Sequence, residues 1–242
     1  MKQVIYTILE NAPLSPGVRR MVLQGDVSPI AAPGQFVNIK LDGLYLRRPI
    51  SVCDAEGDKL TLIYKVVGKG TEQLTRMEPG ETLDALSGLG NGYDLSRAGA
   101  RPVLIGGGVG VPPLYLLAKR LRGQGRAVTV CLGFNTKGEI FYEDEFAALG
   151  CDVRVSTADG SYGAKGFVTA ILLPDPTHYF ACGPEPMLRA VFDTLDCPGQ
   201  LSFEARMGCG FGACMGCTCE TLTGYKRICK DGPVLSSCEI KW

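Results

Sequence analysis

Over the first hundred positions, β-branched and aromatic residues come in short runs separated by turn residues. Residues 4–9, 18–23, 35–41, 49–53 and 59–67 each read as a strand. Ser15-Pro16-Gly17, Ala32-Pro33-Gly34 and Glu56-Gly57-Asp58 punctuate them. This spacing predicts an antiparallel barrel over residues 1–98. A short helix is expected around Gly70-Thr71, with Thr71 as its cap.

The pattern changes near residue 100. A buried strand over 101–105 leads into Gly106-Gly107-Gly108-Val109-Gly110-Val111-Pro112-Pro113 and an apolar helix over 114–121. A strand over 127–133, a helix over 141–149, a strand over 152–156, a helix over 168–172 and a strand over 178–182 continue the alternation. Such alternation predicts a parallel, Rossmann-like sheet covered on both faces, here over residues 99–200. Composition shifts again at 201, where six of the eleven cysteines crowd into the last 42 residues. The expected fold is therefore α/β plus β, in three modules: barrel, nucleotide domain and a small cysteine-rich domain over 201–242.

Composition narrows the chemistry. With 45% hydrophobic and 21% charged residues the chain can bury real cores. Twenty-five Lys+Arg balance twenty-five Asp+Glu, so the counterion-release attraction of nucleic-acid binders is missing and nucleic acid is not expected as a partner. The longest uncharged run, 102–118, is short for a bilayer and broken by glycine and proline. The first residues lack the apolar core of a secretory leader, so a soluble, cytoplasmic protein with no membrane partner is expected. In a reducing compartment, an odd number of cysteines is no disulfide framework. A single histidine, His178, leaves sulfur as the main metal donor.

Cys209-x4-Cys214-x2-Cys217 has the spacing of a plant-type [2Fe–2S] site. Gly208, Gly210, Gly212 and Gly216 permit the tight turns and close amide approach that wrapping a cluster requires. Zinc would call for a second closely spaced cysteine hook, which Cys229 and Cys238 do not form. A Cys214-x-x-Cys217 redox dithiol leaves Cys209 and Cys229 unexplained, and c-type haem needs a histidine where Thr218 stands. Cys219 lies too close to Cys217 to be the fourth ligand. Cys229 offers the required return of the chain, with Cys238 as the alternative. Cys53, Cys131, Cys151 and Cys197 read as small core residues.

Gly108-x-Gly110-x-x-Pro113 stands between a strand and a helix, where free amides and the helix dipole suit a pyrophosphate. An ordinary strand–helix loop is its plain alternative. Ala181-Cys182-Gly183-Pro184-Glu185-Pro186-Met187 follows another strand and would line the same crevice, although Cys182 could equally be a buried small residue. In the barrel, Arg48 with Ser51 could hold a phosphate and a ring nitrogen, the alternative being a solvated cation pair of Arg47 and Arg48. Tyr64 and Gly70-Thr71 follow one strand later. The expected ribose-reading loop, Phe134-Asn135-Thr136-Lys137, contains no acidic residue, so its residues do not decide between NAD and NADP.

Arg47-Arg48-Pro49-Ile50-Ser51-Val52, the glycine loop and Cys182-Gly183-Pro184-Glu185-Pro186-Met187, in that order ahead of the cysteine loop, resemble the ferredoxin–NADP reductase superfamily. The stretch from Glu204 to Cys214, with Ile228-Cys229-Lys230-Asp231-Gly232-Pro233-Val234, resembles the electron-transfer subunits of class B dihydroorotate dehydrogenases. That resemblance implies FAD in the barrel, NAD at the nucleotide domain and a [2Fe–2S] cluster in the tail. It also implies a separate FMN-containing catalytic subunit, in a heterotetramer of two of each chain, that oxidises dihydroorotate to orotate in pyrimidine biosynthesis. By motif, Arg48, Pro49, Ile50, Ser51, Ile63, Tyr64, Lys65, Gly70 and Thr71 would contact FAD. Gly108, Gly110 and Cys182 would contact NAD, and Cys209, Cys214, Cys217 and Cys229 would bind the cluster. No acid or base for the dihydroorotate reaction is expected in this chain. Ile50 stands where plant-type reductases carry an aromatic residue. Cys209 stands where small subunits of NADPH–ferredoxin oxidoreductases carry aspartate. Another electron-transfer subunit on the same scaffold, serving sulfide, sulfite or ferredoxin chemistry, is the alternative.

Overall fold

A computed structural model describes residues 1–173 and 175–242. Six strands form the N-terminal barrel: β1 (Lys2–Ser15), β2 (Val18–Gln24), β3 (Phe36–Ile39), β4 (Arg48–Glu56), β5 (Lys59–Lys65) and β6 (Thr82–Leu89). They close in the order β1-β2-β5-β4-β3-β6, every pair antiparallel. Alternate residues such as Ile8, Met21, Leu23, Val37, Ile39, Leu60 and Leu62 fill the interior. Each such burial contributes about 1.5–3 kcal/mol. Helix α1 (Lys69–Thr75) follows β5. Its N-cap is Gly68, not Thr71. The Thr71 hydroxyl instead reaches back, accepting from the Val67 and Gly68 amides at 2.9 and 3.2 Å and donating to the Gly68 carbonyl at 3.0 Å.

The second sheet takes β7 (Pro102–Gly107), β8 (Thr129–Phe134), β9 (Asp152–Thr157), β10 (Ala164–Lys165), β11 (His178–Cys182) and β12 (Gly199–Ser202). These strands are parallel, in the order β10-β9-β8-β7-β11-β12. Successive residues serve opposite faces. Leu104, Val130 and Leu132 meet α2 (Pro112–Gly123) and Phe146 of α3 (Glu143–Ala148). Val103, Ile105 and Cys131 pack with Leu188 and Val191 of α4 (Glu185–Thr194). The helix expected over 168–172 is a single 3₁₀ turn, Val168–Ile171, whose β-branched Val168, Thr169 and Ile171 are poor helix formers.

The cysteine-rich segment adds the hairpin β13 (Thr218–Thr221) and β14 (Gly224–Arg227), then β15 (Val234–Ser236). Strand β15 pairs antiparallel with β12 and completes the nucleotide sheet. The boundary expected at 201 thus falls inside β12, and the tail is sewn into the domain before it. Helix α2 packs along β4, where Lys119 binds Asp54 at 2.9 Å and Glu56 at 2.8 Å, joining nucleotide domain to barrel.

Candidate electron-transfer site

The loop after β12 gathers its four expected cysteines as two pairs. Cys209 and Cys214 face one another: the Cys209 amide donates to Cys214 Sγ at 3.4 Å, and the Cys214 amide to Cys209 Sγ at 3.4 Å. Phe211 and Ala213 amides add donors to Cys209 Sγ at 3.5 and 3.2 Å. Burial pushes the Cys209 thiol up, but these amide donors prevail and hold it down at about 6. Cys217 and Cys229 form the second pair, linked by the Cys229 amide to Cys217 Sγ at 3.4 Å. Burial, then the contact with Cys217, pushes the Cys229 thiol up to about 12, and Cys209 is near enough to act on it electrostatically. Two thiol pairs with amides aimed at sulfur fit a binuclear cluster, one pair per iron.

The pairs differ in exposure. Cys217 and Cys229 are buried, whereas Cys214 is exposed beside Phe211 and Met215, both exposed apolar side chains. Met215 holds a left-handed backbone at φ 60°, a strain that concentrates at functional sites. Its carbonyl accepts from the Thr218 amide and hydroxyl at 3.1 and 2.6 Å. Arg227 ties the loop to the hairpin, donating to the Gly212 carbonyl at 2.8 Å and pairing with Asp231 at 3.2 Å.

The barrel reaches this loop through the side chain of Asn38 and through Phe36, which packs with Cys217 and Cys229. Asn38 is 1% exposed, and its Nδ2 donates to the Cys209 carbonyl at 3.1 Å while Oδ1 has no partner. A Cβ on Gly210 would stand 2.3 Å from that Nδ2. Phe36 and Asn38 lie opposite Ser51 and Pro49 in the β3–β4 register, so all four occupy the outward face of the barrel. Ile50 and Arg48 lie opposite the core residues Val37 and Ile39, and Ile50 packs on the barrel interior. Ile50, where plant-type reductases carry an aromatic residue, is half-buried against that interior, and Arg48 is also half-buried. Tyr64 is likewise in the barrel core, its hydroxyl donating to Asn11 Oδ1 at 3.0 Å. Ile63 faces out and packs with the α2 side of the sheet. The Arg48 side chain lies across Gly70, where a Cβ would stand 2.2 Å from Nε. Pro49, Ser51 and the Arg48–Gly70 contact offer a face and a cation suited to a flavin nucleotide.

A cleft of about 600 Å³ opens beyond the carboxyl ends of β7, β8 and β11. Gly108, Gly110, Asn135, Glu139, Pro184 and Met187 are among its lining residues, with Lys65 on the barrel side. Gly108 has φ +51° and open space where a Cβ would point. Gly110 is needed for packing, since its Cβ would stand 2.2 Å from the Cys182 carbonyl oxygen. Cys182 itself is buried beside Ser202 in the core, where burial pushes its thiol up to about 12, and it does not line the cleft. Its neighbour Gly183 does.

The site thus unites the two cysteine pairs, the outward face at Pro49 and Ser51, and the glycine cleft. Lys65 lines the glycine cleft, Tyr64 and Cys182 are buried, and Ile50 is half-buried. Two residues went unnoticed in the sequence. Asn38 carried a faint sign, a polar residue in the otherwise apolar buried strand Phe36–Ile39. Glu139 lies two positions beyond the loop inspected for an acid.

A barrel with an outward flavin-type face, a parallel sheet with a glycine-lined cleft and a four-thiol loop together define an electron-transfer oxidoreductase of the ferredoxin–NADP reductase-like fold. Residues 204–241 match the iron–sulfur cluster binding domain of dihydroorotate dehydrogenase B, and residues 104–193 match an oxidoreductase NAD-binding domain. The dihydroorotate dehydrogenase B (NAD(+)) electron transfer subunit of Geobacillus sp. (strain WCH70) is 44% identical over 99% of both chains. That of Bacillus caldolyticus is 47% identical over 88% of both. The chain belongs to this family of electron transfer subunits. A chain of the NADH-dependent reduced ferredoxin-NADP oxidoreductase superposes with TM-score 0.88 at 30% identity, over 98% of this chain and 90% of that one. A ferredoxin NADP+ reductase from Neisseria gonorrhoeae, with bound FAD and NADP, shares the fold at TM-score 0.69 and 20% identity, over 80% of this chain and 90% of that one. Among the described residues no helix is long and apolar enough to cross a membrane.

Proposed function

We propose that this chain carries electrons between NAD(H) and a separate FMN-containing subunit that oxidises dihydroorotate to orotate, in a cytoplasmic assembly of two copies of each chain. When bound, FAD exchanges a hydride with nicotinamide and single electrons with a [2Fe–2S] cluster. The protein's own task is positioning. Pro49 and Ser51 present the outward barrel face to the flavin, and Arg48 over Gly70 supplies a cation for its phosphates. Gly108 lets a pyrophosphate approach the backbone. Cys209, Cys214, Cys217 and Cys229 would hold the cluster, with loop amides supporting the thiolate sulfurs.

The observation that carries this reading is the Asn38 bridge. One buried side chain on the face shared with Pro49 and Ser51 binds the backbone of the first cluster ligand at 3.1 Å. This contact supports a reading in which flavin face and cluster loop are adjacent, as electron transfer requires. The exposed Cys214, Phe211 and Met215 form the side from which a partner would draw electrons. The test is to purify the chain anaerobically with its dihydroorotate dehydrogenase-like partner and follow dihydroorotate-dependent NAD+ reduction. Activity that needs both chains is the expected result. Intact flavin and cluster absorbance without it would move the reading to another electron acceptor, such as ferredoxin.

A further inference from the structure

The turn after β8 carries an acid where the nucleotide's adenosine ribose would be read. Glu139 closes a 3₁₀ turn over Lys137–Glu139, in which its amide donates to the Thr136 carbonyl at 3.1 Å. The turn folds the chain back, so that Glu139 stands over Asn135 at the end of β8. Asn135 holds the carboxylate twice, through Nδ2 at 2.9 Å and through its backbone amide at 3.4 Å. Both bonds fall on Oε2, which leaves Oε1 as an acceptor. Glu139 lines the cleft with Gly108 and Gly110. Strands β7 and β8 are neighbours, so the turn after β8 lies one strand spacing from the glycine loop.

The charges around this point have one sign where it matters. Lys137, in the same turn, does not line the cleft, and its Nζ sits 5.7 Å from the centre of the Tyr162 ring. Lys65, the one cation among the described lining residues, comes from the barrel wall and not from the strand ends. A ribose 2′-hydroxyl offers a donor to a carboxylate, whereas a 2′-phosphate brings negative charge against one.

We propose that Glu139, pre-set by Asn135, is the specificity-determining residue that selects the nucleotide lacking a 2′-phosphate. This rests on the cleft being the NAD(H) site. The test is calorimetric binding of ADP-ribose and of 2′-phospho-ADP-ribose to the purified holoprotein, which requires no electron transfer. The wild-type protein should bind ADP-ribose the more tightly. Glu139→Gln should cut that ratio by about tenfold, the loss of one charge-assisted hydrogen bond. Glu139→Asp should retain the larger share of the preference, and Asn135→Ala should fall between. With NADH and an artificial acceptor, Glu139→Gln should raise KM and leave kcat unchanged. An unchanged ratio in Glu139→Gln, with ADP-ribose still bound, overturns the role of Glu139 alone. Failure of the wild-type protein to bind either ligand overturns the nucleotide reading of the cleft, and the inference with it.

Discussion

A Cβ on Gly110, in the loop after β7, would stand 2.2 Å from the Cys182 carbonyl oxygen, and one on Gly107 would stand 2.4 Å from Met187 Sδ. In the cysteine loop, a Cβ on Gly208 or Gly216 would meet only Cys214 Sγ, at 3.1 and 3.6 Å. Both loops are glycine-rich, yet these glycines answer different needs. The first loop packs backbone on backbone, which holds the cleft rigid before any nucleotide arrives. The second keeps its amides turned toward sulfur, with the Asn38 side chain hydrogen-bonding it to the barrel. Rigidity by packing and rigidity by hydrogen bonding should fail in different ways when perturbed.

The largest effect is expected at Cys214. Cys214→Ser should abolish cluster absorbance and reduction of the partner while NADH oxidation by an artificial acceptor survives. Equal loss of both would show that the loop and the cleft are not separate functional units. Asn38→Ala comes next. It removes the bond to the Cys209 carbonyl and should weaken cluster retention about 10–100-fold, as outer ligand supports do. Chelator-driven bleaching of the holoprotein measures this, and an unchanged bleaching rate would mean the loop holds itself without the barrel.

The same contrast explains what could be read from the residues alone. The candidate cluster cysteines sit within nine positions of one another, apart from Cys229, and their spacing is a local property of the chain. Barrel strands announce themselves by alternation and turn residues, because each strand has one face in the core. Asn38 and Glu139 were not legible in this way. Asn38 matters because of a register between β3 and β4 and a contact with Cys209, which lies 171 residues away. Glu139 matters because a 3₁₀ turn folds it back over Asn135. The place of β15 in the nucleotide sheet likewise depends on three residues, Val234–Ser236, pairing with a strand some thirty positions earlier. Cys182 shows the converse: its motif context suggested a ligand contact, whereas its thiol is buried and the neighbouring Gly183 lines the cleft.

In the packed loop, Gly110→Ala should cost about 1–3 kcal/mol, because its new methyl meets the backbone of Cys182 and Gly183, which cannot step aside as a flexible side chain would. The melting temperature should fall, and NADH oxidation should fall with it as the cleft deforms. Gly108→Ala should do less to stability and more to binding. Its φ of +51° costs an alanine about 1 kcal/mol. Its methyl, however, meets no protein atom within 4 Å and would occupy the opening where a pyrophosphate approaches. The expected outcome is a small drop in melting temperature together with a KM for NADH raised about tenfold. If Gly108→Ala left KM unchanged, the pyrophosphate would have to approach elsewhere, and the open glycine would be a plain turn residue.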